Sequence, residues 1–328
     1  MKAVRLYEFG PAENLRYETV PDPEPGPGQV RIRVAAAGVH LIDTVLRAGT
    51  YDGAVMKPPQ LPTIPGREVA GTVEALGEGV DTSWLGAPVV THLGMAPGGY
   101  AELAVRDVDA VHRLAPDTGF DKAVAMIGTG RTMLGVMEMA KVTDEDVVLV
   151  TGASGGIGTL IVQYARSLGA TVVGAAGGPD KTARVRDNGA DVAVDYTEED
   201  WTEKVREALG DKEITVALLG GRGGSVARDS FGLLADGGRV VTYGGGLDEA
   251  DQPSKEELAK RSISVDSPLG PFMMKRPGGI RSLEEKSLAA LAEGRLDPAT
   301  QTFPLEQAAQ AHAALENHDT IGKVVLLP

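Results

Sequence analysis

The sequence predicts an α/β protein with a β-rich N-terminal domain and a doubly wound parallel sheet of the Rossmann type. Three observations support this prediction. Short strands separated by Pro and Gly fill about the first 120 residues, apolar strands and amphipathic helices alternate after Asp121, and a glycine-rich turn joins the first of those strands to its helix. With 328 residues, 42% of them apolar, the chain is long enough for two such domains.

The N-terminal domain is predicted from segments that read QVRIRVAAAG, EVAGTVEALG, APVVTHLG and GYAELAV. Their β-branched residues and the turn residues between them favour short strands over helices. We expect this domain to span residues 1–122.

The doubly wound sheet is predicted for residues 123–266. A helical stretch through Met139 leads into VVLVTGASGGIG, and helical segments such as GTLIVQYARSL separate the strands that follow. Six strands separated by helices are what this architecture requires. The predicted strands are Val147–Thr151, Thr171–Ala175, Val192–Asp195, Val216–Leu219, Arg239–Tyr243 and Ile263–Asp266.

The last part of the chain, residues 267–328, contains two predicted helices and a final strand. The helices are Leu283–Glu293 and Leu305–Glu316, and the strand lies in GKVVLLP. These elements are too few for a third core, so we expect them to pack back on the N-terminal domain.

The composition limits the possible partners. The 32 basic and 46 acidic side chains give a net charge of −14, which does not favour nucleic-acid binding and leaves a small molecule as the expected partner. No apolar run reaches the roughly 18 residues that span a bilayer, and the start, MKAVRLYEFG, lacks the apolar region of a secretion signal. We therefore expect a cytoplasmic protein that does not enter the membrane.

The absence of cysteine removes disulfides, thiolate nucleophiles and cysteine-ligated zinc sites together. Five His remain, and none forms the close pair that lets one helix face hold a metal. We predict no bound metal, and we expect His112, His312 and His318 to be ordinary core or surface residues.

The segment TGASGGIG (151–158) predicts a dinucleotide site, because it follows a buried strand and opens a helix. Small residues let the backbone approach a pyrophosphate, and the free N–H groups at the helix start favour its negative charge. We assign Ser154, Gly155, Gly156 and Ile157 to cofactor binding.

The end of the second strand indicates which dinucleotide binds. NAD sites place an Asp or Glu there, whereas this chain has Gly174–Gly178 without a carboxylate, followed by Lys181 and Arg184. These two positive charges favour the 2′-phosphate of NADP. Position alone also allows Lys181 to be a solvated lysine on the helix surface.

Several stretches, taken in order, resemble the zinc-independent quinone oxidoreductase branch of the medium-chain dehydrogenase/reductase superfamily. They are GVHLIDTVLRAGTY (38–51), PGREVAGTVEALGEGV (65–80), GGYAEL (98–103), GASGGIG (152–158), DK and NGAD within 180–191, DY (195–196) and GK (322–323). The resemblance spans nearly the whole chain. It implies a GroES-like catalytic domain closed by the C-terminal segment, a Rossmann domain inserted between them, and a homodimer.

The resemblance also implies further cofactor contacts. It places Gly177, Lys181 and Tyr196 around the 2′-phosphate and Thr132 near the nicotinamide. We additionally assign to the cofactor four residues that end or follow predicted strands, namely Leu219, Tyr243, Gly244 and Gly245.

Zinc-bearing relatives carry a Cys where this chain has His40, and a His-Glu pair where it has Arg67-Glu68. A catalytic zinc needs three protein ligands, and the positive charge of Arg67 opposes a metal. Without a Lewis acid, the hydride acceptor must stabilise its developing anion by conjugation and hydrogen bonds, as quinones and α,β-unsaturated carbonyls do.

Three residues of the segment expected to face the nicotinamide are candidate catalytic residues. Tyr51 matches a catalytic tyrosine of related enoyl-thioester reductases, so it is either a proton donor to an enolate or an aromatic lid on the cofactor. Asp43 is expected to orient the loop, and His40 to hydrogen-bond ribose or substrate. Arg131, further along, either recognises an acidic or polar substrate or is an ordinary surface guanidinium.

These residues predict an NADPH-dependent reductase of quinones or activated enones. An enoyl-thioester reductase acting on CoA-linked or carrier-bound chains is the alternative enzyme. An NADPH-binding sensor or structural protein with little turnover is an alternative of another class, which the fold alone does not distinguish.

Overall fold

A computed structural model of the protein describes residues 1–50, 58–94, 98–221, 223–244, 249–268 and 271–328. The chain separates into two compact units. The first comprises Met1–Thr129 and Glu284–Pro328, and the second comprises Gly130–Leu283.

The secondary structure alternates strands and helices throughout the second unit, whereas strands dominate the first. The strands are β1 (Lys2–Leu6), β2 (Leu15–Thr19), β3 (Gln29–Val39), β4 (Glu68–Leu76), β5 (Pro88–His92), β6 (Leu103–Asp107), β7 (His112–Arg113), β8 (Val147–Thr151), β9 (Thr171–Ala176), β10 (Val192–Asp195), β11 (Ile214–Gly220), β12 (Leu234–Tyr243), β13 (Ser264–Asp266), β14 (Thr300–Pro304) and β15 (Lys323–Leu327). The α-helices are α1 (Leu41–Ala48), α2 (Phe120–Ala125), α3 (Arg131–Ala140), α4 (Gly156–Ser167), α5 (Pro179–Asp187), α6 (Trp201–Leu209), α7 (Ser225–Leu233), α8 (Lys255–Lys260), α9 (Pro271–Met274), α10 (Gly279–Ala292) and α11 (Ala308–Glu316). Short 3-10 helices cover Ala12–Asn14, Thr82–Trp84, Val108–Ala110, Glu249–Asp251 and Leu305–Gln307.

The first unit is built on a seven-stranded sheet in the order β14-β15-β3-β4-β5-β7, in which β6 also pairs with β3. Alternate side chains of β3 point into the core, so Val30 and Ile32 are fully buried while their neighbours are partly exposed. The prediction of a β-rich N-terminal domain is confirmed.

The C-terminal segment completes this sheet. Strand β15 pairs antiparallel with β3 and parallel with β14, and its Val324, Val325 and Leu326 are buried. The end of the chain therefore supplies core residues to the first unit, and α11 packs there as well, with Ala308 and Ala311 in the same core.

The second unit contains a six-stranded sheet in the order β10-β9-β8-β11-β12-β13, with every pair parallel. All five residues of β8 are buried, which is expected for a parallel strand covered by helices on both faces. The predicted doubly wound sheet is confirmed, and the positions of its six strands agree with the sequence to within a few residues except at the start of β12.

The compact units end later than the predicted boundaries at residues 122 and 266. Helix α2 and the turn after it contribute Ala123, Val124 and Ile127 to the core beneath β3 and β4, so this segment belongs to the first unit. The residues after β13 stay with the second unit, where Arg276 forms an ion pair with Glu138 of α3. Both differences arise from the packing of short helical segments. Hydrophobic periodicity in the sequence does not show which unit such a segment packs against.

A π-helical turn, Met126–Gly130, joins α2 to α3. Such turns are rare and occur frequently at functional sites.

Within the described ranges, no helix has both the length and the apolar character that a membrane crossing needs.

Candidate active site

Three ionisable side chains meet inside the first unit, beside the start of α1. Glu68 is fully buried; its Oε2 lies 2.8 Å from Nε2 of His40, and its Oε1 lies 2.6 Å from Nζ of Lys323. The side chain of Lys323 is 5% exposed and that of His40 is 22% exposed. We call these three residues the Glu68 cluster, in which only His40 retains access to solvent or a ligand.

Two glycines make room for the Glu68 carboxylate. A Cβ atom on Gly38 of β3 would lie 2.0 Å from Oε1, and one on Gly128 of the π-helical turn would lie 2.1 Å from Oε2. The same Cβ on Gly128 would lie 3.0 Å from Cε1 of His40. Any other residue at either position would displace the carboxylate, so the backbone is shaped around the Glu68 cluster.

The Glu68 carboxylate is ionised despite its burial. Burial raises the pKa of Glu68, but the charges of His40 and Lys323, the hydrogen bond from His40 and the charge of His92 together hold it well below its usual range. His92 lies directly opposite Glu68 in the pairing of β4 with β5, and its ring centroid is 6.3 Å from that of His40. An ionised carboxylate can only accept hydrogen bonds, so its partners must donate.

Asp43 supports the segment that carries His40. It is 4% exposed, and its Oδ2 accepts hydrogen bonds from the His40 backbone N–H at 2.9 Å and from the Tyr100 hydroxyl at 3.2 Å. The first of these bonds satisfies a donor at the N-terminus of α1. This placement supports an orienting role for Asp43.

A second buried polar network continues from Asp43. The Tyr100 hydroxyl lies 3.0 Å from Nε2 of His312, and Arg47 donates two hydrogen bonds to Glu316, at 2.6 and 3.1 Å. Burial and the nearby charge of Arg47 lower the pKa of His312 to about 3, so its imidazole is neutral. His312 is thus a core residue, as expected, while sequence reasoning missed its partners, which lie far apart in the chain.

The glycine-rich segment of the second unit forms a tight turn that ends at the start of α4. Gly155 is the N-cap of α4, and Gly152 adopts a left-handed conformation with φ of 62°. A Cβ on Gly158 would lie 2.2 Å from the carbonyl oxygen of Gly152, which explains why that position requires glycine. The turn brings Ser154 and Gly155–Ile157 to the helix N-terminus, where the backbone N–H groups can bind a pyrophosphate.

The carboxyl ends of β9 and β10 lie side by side, because the two strands pair in parallel. The residues that follow them, Gly177 and Tyr196, are two of those predicted to surround the 2′-phosphate. A Cβ on Gly177 would lie 3.0 Å from the hydroxyl of Tyr196, so these two predicted residues are adjacent. Lys181 is half-buried on α5, which starts two residues after Gly177.

Asp195 of β10, which precedes Tyr196, has a carboxylate that hydrogen-bonds to neighbouring residues of the protein. Asp195 Oδ1 accepts from the backbone N–H of Gly178 at 2.9 Å and from the N–H and hydroxyl of Thr197 at 2.9 and 2.7 Å. Although burial raises the pKa of Asp195, these hydrogen bonds lower it by more. Asp195 therefore stabilises the turn into α5.

The other predicted cofactor residues lie along the carboxyl ends of β11 and β12. Leu219 is 3% exposed, and the hydroxyl of Tyr243 donates to the Thr151 carbonyl oxygen at 2.6 Å. A Cβ on Gly220 would lie 2.1 Å from the Tyr243 ring, so this ring is packed against the sheet backbone. Gly244 follows in a left-handed conformation with φ of 73°. The side chain of Tyr243 thus contacts the carboxyl ends of β8 and β11 and stabilises their positions.

Four predicted positions remain. Thr132 and Arg131 are half-buried in the first turn of α3. Tyr51 and Gly245 lie outside the described residues. Among the residues that are described, no group of three or more His, Asp and Glu side chains is arranged to hold a metal ion.

Two protein-family models match the chain. The alcohol dehydrogenase GroES-like domain matches residues 26–117, and a family described as zinc-binding dehydrogenase matches residues 188–326.

Characterised relatives match over the full length. The quinone oxidoreductase of Sus scrofa is 33% identical, with 100% of this chain and 98% of the relative covered. The 2-haloacrylate reductase of a Burkholderia species is 32% identical, with 99% of this chain and 98% of the relative covered.

Solved structures are also similar over the full length of the chain. The crystal structure of an NAD-dependent alcohol dehydrogenase has a TM-score of 0.87 at 29% identity, with 100% of both chains covered. The Escherichia coli quinone oxidoreductase in complex with NADPH has a TM-score of 0.86 at 25% identity, again with 100% of both chains covered.

Proposed function

Because the chain belongs to the medium-chain dehydrogenase/reductase superfamily and is an oxidoreductase related to the quinone oxidoreductases, we propose that it reduces quinones or α,β-unsaturated carbonyls with NADPH and without zinc. The observation that carries this proposal is the Glu68 cluster, where an ammonium group and an imidazole lie against the two oxygens of the buried carboxylate. We also propose that the chain works as a homodimer.

The second unit would hold the cofactor. The glycine turn and the N-terminus of α4 fit a pyrophosphate, and the absence of a carboxylate in Gly174–Gly178 favours a phosphorylated ribose. Gly177, Tyr196 and Lys181 would surround the 2′-phosphate. When bound, NADPH supplies the hydride. The NADPH complex of the Escherichia coli relative supports this choice, whereas another similar structure is that of an NAD-dependent alcohol dehydrogenase.

The acceptor is inferred from how the chain can stabilise negative charge. Lys323 lies 2.6 Å from one Glu68 oxygen, and a metal bound there would have to displace this buried ammonium. The negative charge that develops on the hydride acceptor must then be stabilised by hydrogen bonds and by conjugation within the acceptor itself. Quinones and activated alkenes provide that conjugation, and the similarity to a 2-haloacrylate reductase supports this acceptor class.

We propose that Tyr51 donates a proton to a carbon atom of the enolate that forms when an enone is reduced. Reduction of an enone leaves an enolate that needs a proton at carbon, whereas a reduced quinone takes its protons at oxygen. The variant Tyr51→Phe keeps the ring and removes only the hydroxyl. We expect enone turnover to fall by about two decades while quinone turnover and NADPH affinity remain nearly unchanged.

Steady-state NADPH oxidation with one enone and one quinone tests this assignment. Tyr17→Phe is a matched control, because Tyr17 is 41% exposed on β2 and should alter neither rate. An unchanged enone rate in Tyr51→Phe would show that Tyr51 is not the proton donor, and an equal loss with both acceptors would favour the aromatic-lid role.

A further inference from the structure

Gly178 forms the turn between β9 and α5, directly after the predicted phosphate-binding residue Gly177. It is the N-cap of α5, and its φ of 88° and ψ of 156° are accessible essentially only to glycine. Its carbonyl oxygen accepts from the backbone N–H of Thr182 at 3.1 Å and from the Thr182 hydroxyl at 2.9 Å. Its own N–H donates to Oδ1 of Asp195 at 2.9 Å. Both polar groups of this turn are therefore fixed, one by α5 itself and one by Asp195.

Asp195 connects the two segments that carry the proposed 2′-phosphate contacts. It pairs with Ala176 at the carboxyl ends of β10 and β9, and its hydrogen-bond partner Gly178 follows Gly177. The next residue of its own segment, Tyr196, donates its backbone N–H to the Ala176 carbonyl oxygen at 3.0 Å. Asp195 thus precedes one proposed phosphate contact, Tyr196, and holds the residue beside another, Gly177.

The same hydrogen bond sets the start of α5 and, with it, the position of Lys181. Lys181 lies in the first turn of α5, three residues after Gly178. A glycine without a partner for its N–H has many backbone conformations available. Without the Asp195 acceptor, the first turn of α5 would therefore be free to move relative to β10.

Thr197 keeps the Asp195 carboxylate at this turn. Its backbone N–H and its hydroxyl donate to the same Oδ1 at 2.9 and 2.7 Å. A carboxylate at these strand ends that faced the cofactor would accept from ribose hydroxyls, as in NAD sites, and would repel a 2′-phosphate. Three hydrogen bonds to one oxygen instead hold the negative charge on the protein backbone.

Resting on the proposed function, we infer that Asp195 is a positioning residue for the selectivity of this chain for NADPH. Through Gly178 it holds Gly177 and the first turn of α5 in the arrangement that receives the 2′-phosphate, and Thr197 keeps its carboxylate in that role. NADH lacks this phosphate, so its binding does not depend on Asp195.

Direct titration of the full-length protein with NADPH and with NADH tests this role without any turnover. We expect Asp195→Ala to weaken NADPH binding by about one decade and NADH binding by less than about twofold, because only the phosphate contacts are displaced. Asp195→Asn keeps an oxygen that accepts from the same N–H groups, so its NADPH affinity should stay within about threefold of the parent value.

Three results would overturn the inference. Equal losses for both cofactors in Asp195→Ala would show a general disturbance of the second unit. A loss confined to NADH would identify Asp195 as a ribose-binding carboxylate. An Asp195→Asn variant as weak as Asp195→Ala would show that the hydrogen-bond geometry is not what matters.

A double-mutant cycle with Lys181 tests whether Asp195 acts by positioning. The variant that combines Asp195→Ala with Lys181→Ala should bind NADPH less than about threefold more weakly than Lys181→Ala alone, since most of the contact that Asp195 positions is already absent. Losses that multiply in the combined variant would mean that Asp195 does not act through Lys181 and would refute the positioning role.

Asp191→Ala is the matched control. Asp191 precedes the amino end of β10, where its Oδ2 accepts from the backbone N–H of Val172 in β9 at 2.8 Å, and its loss should leave both affinities unchanged. If Asp195→Ala does not fold, Thr197→Val replaces it. That variant removes the hydroxyl donor and keeps the N–H, so NADPH binding alone should weaken by about threefold, and an unchanged affinity would overturn the inference.

The two levels of the proposal fail in different ways. A parent protein that prefers NADH would contradict the proposed function. A parent protein that prefers NADPH, combined with equal losses for both cofactors in Asp195→Ala, would contradict the inference alone.

Discussion

Replacing Lys323 by Met should destabilise the first unit strongly and in a pH-dependent manner. The substitution removes an ammonium 2.6 Å from a carboxylate that is 0% exposed. Breaking a buried ion pair by removing one partner costs about 3–5 kcal/mol. Because His40 stays 2.8 Å from the other oxygen of Glu68, we expect the lower end of this range, about 3 kcal/mol.

The pH dependence follows from the pKa of Glu68. In the parent protein it lies below its unfolded value, so this group contributes stability above the unfolded pKa and loses it only as the pH falls through the lower folded pKa. Without Lys323, burial is less opposed and the pKa of Glu68 rises. A loss of about 3 kcal/mol corresponds to a rise of about 2 pKa units, which still leaves the pKa of Glu68 below its unfolded value. The stability gap between variant and parent should therefore stay constant from about pH 8 to about pH 5 and narrow only as the pH falls below about 4.5, the usual pKa of a glutamate, toward the raised pKa of the variant.

Urea unfolding followed by tryptophan fluorescence measures this gap. Trp84 and Trp201 are the two tryptophans, in the first and second units respectively, so a Trp201→Phe background reports on the first unit. Lys122→Met is the matched control, because Lys122 pairs with Asp297, whose side chain is 79% exposed, and should cost less than about 1 kcal/mol. A loss in Lys323→Met no larger than in this control, or a gap independent of pH, would refute the description of the Glu68 cluster as a tight buried pair.

Two further predictions concern the cofactor and the metal. Lys181→Ala should weaken NADPH binding by about one to two decades and barely change NADH binding, because a charge-assisted contact of about 1.5–3 kcal/mol involves a phosphate that NADH lacks. Arg186→Ala, an exposed residue of α5, is the control, and equal losses for both cofactors would contradict the assignment. Elemental analysis should find no stoichiometric zinc, and activity should persist in a strong chelator. About one zinc per chain, with activity lost on chelation and restored by metal, would instead identify His40 and Glu68 as ligands.

The parallel sheet was predictable because its sequence signals are local. Each strand is an apolar run bounded by turn residues, and TGASGGIG marks both the first strand end and the following helix. The tight approach of Gly158 to Gly152 is encoded within the same few residues. Local patterns of this kind are visible in one sequence.

The Glu68 cluster was only partly predictable because its members meet through long-range strand pairing. His40 and Glu68 stood out because zinc-bearing relatives carry metal ligands at these positions. Lys323 reaches Glu68 through the pairing of β15 with β3, about 255 residues later in the chain. The absence of cysteine indicated only that the site differs from a zinc centre. Nothing in the sequence pattern indicated that an ammonium group pairs with Glu68.

The buried network around Asp43 was unpredictable for the same reason. Tyr100 and His312 come from distant segments, and each is an unremarkable residue within its own segment. Only the fold brings them together beneath α1. Sequence reasoning predicted that Asp43 orients this loop, and in the structure its carboxylate accepts a hydrogen bond from the backbone N–H of His40, as a carboxylate three residues into a helix can do.

The most direct measurement is NADPH oxidation by the parent protein with three acceptors, a quinone, a conjugated enone and its saturated ketone. Nothing among the proposed catalytic residues supplies the Lewis acid that polarises an isolated carbonyl, whereas conjugation spreads the charge of the reduced acceptor. We predict that the quinone, the enone or both exceed the saturated ketone by about two decades or more in kcat/KM, with NADPH preferred to NADH. Efficient reduction of the saturated ketone, or a preference for NADH, would contradict the proposed function.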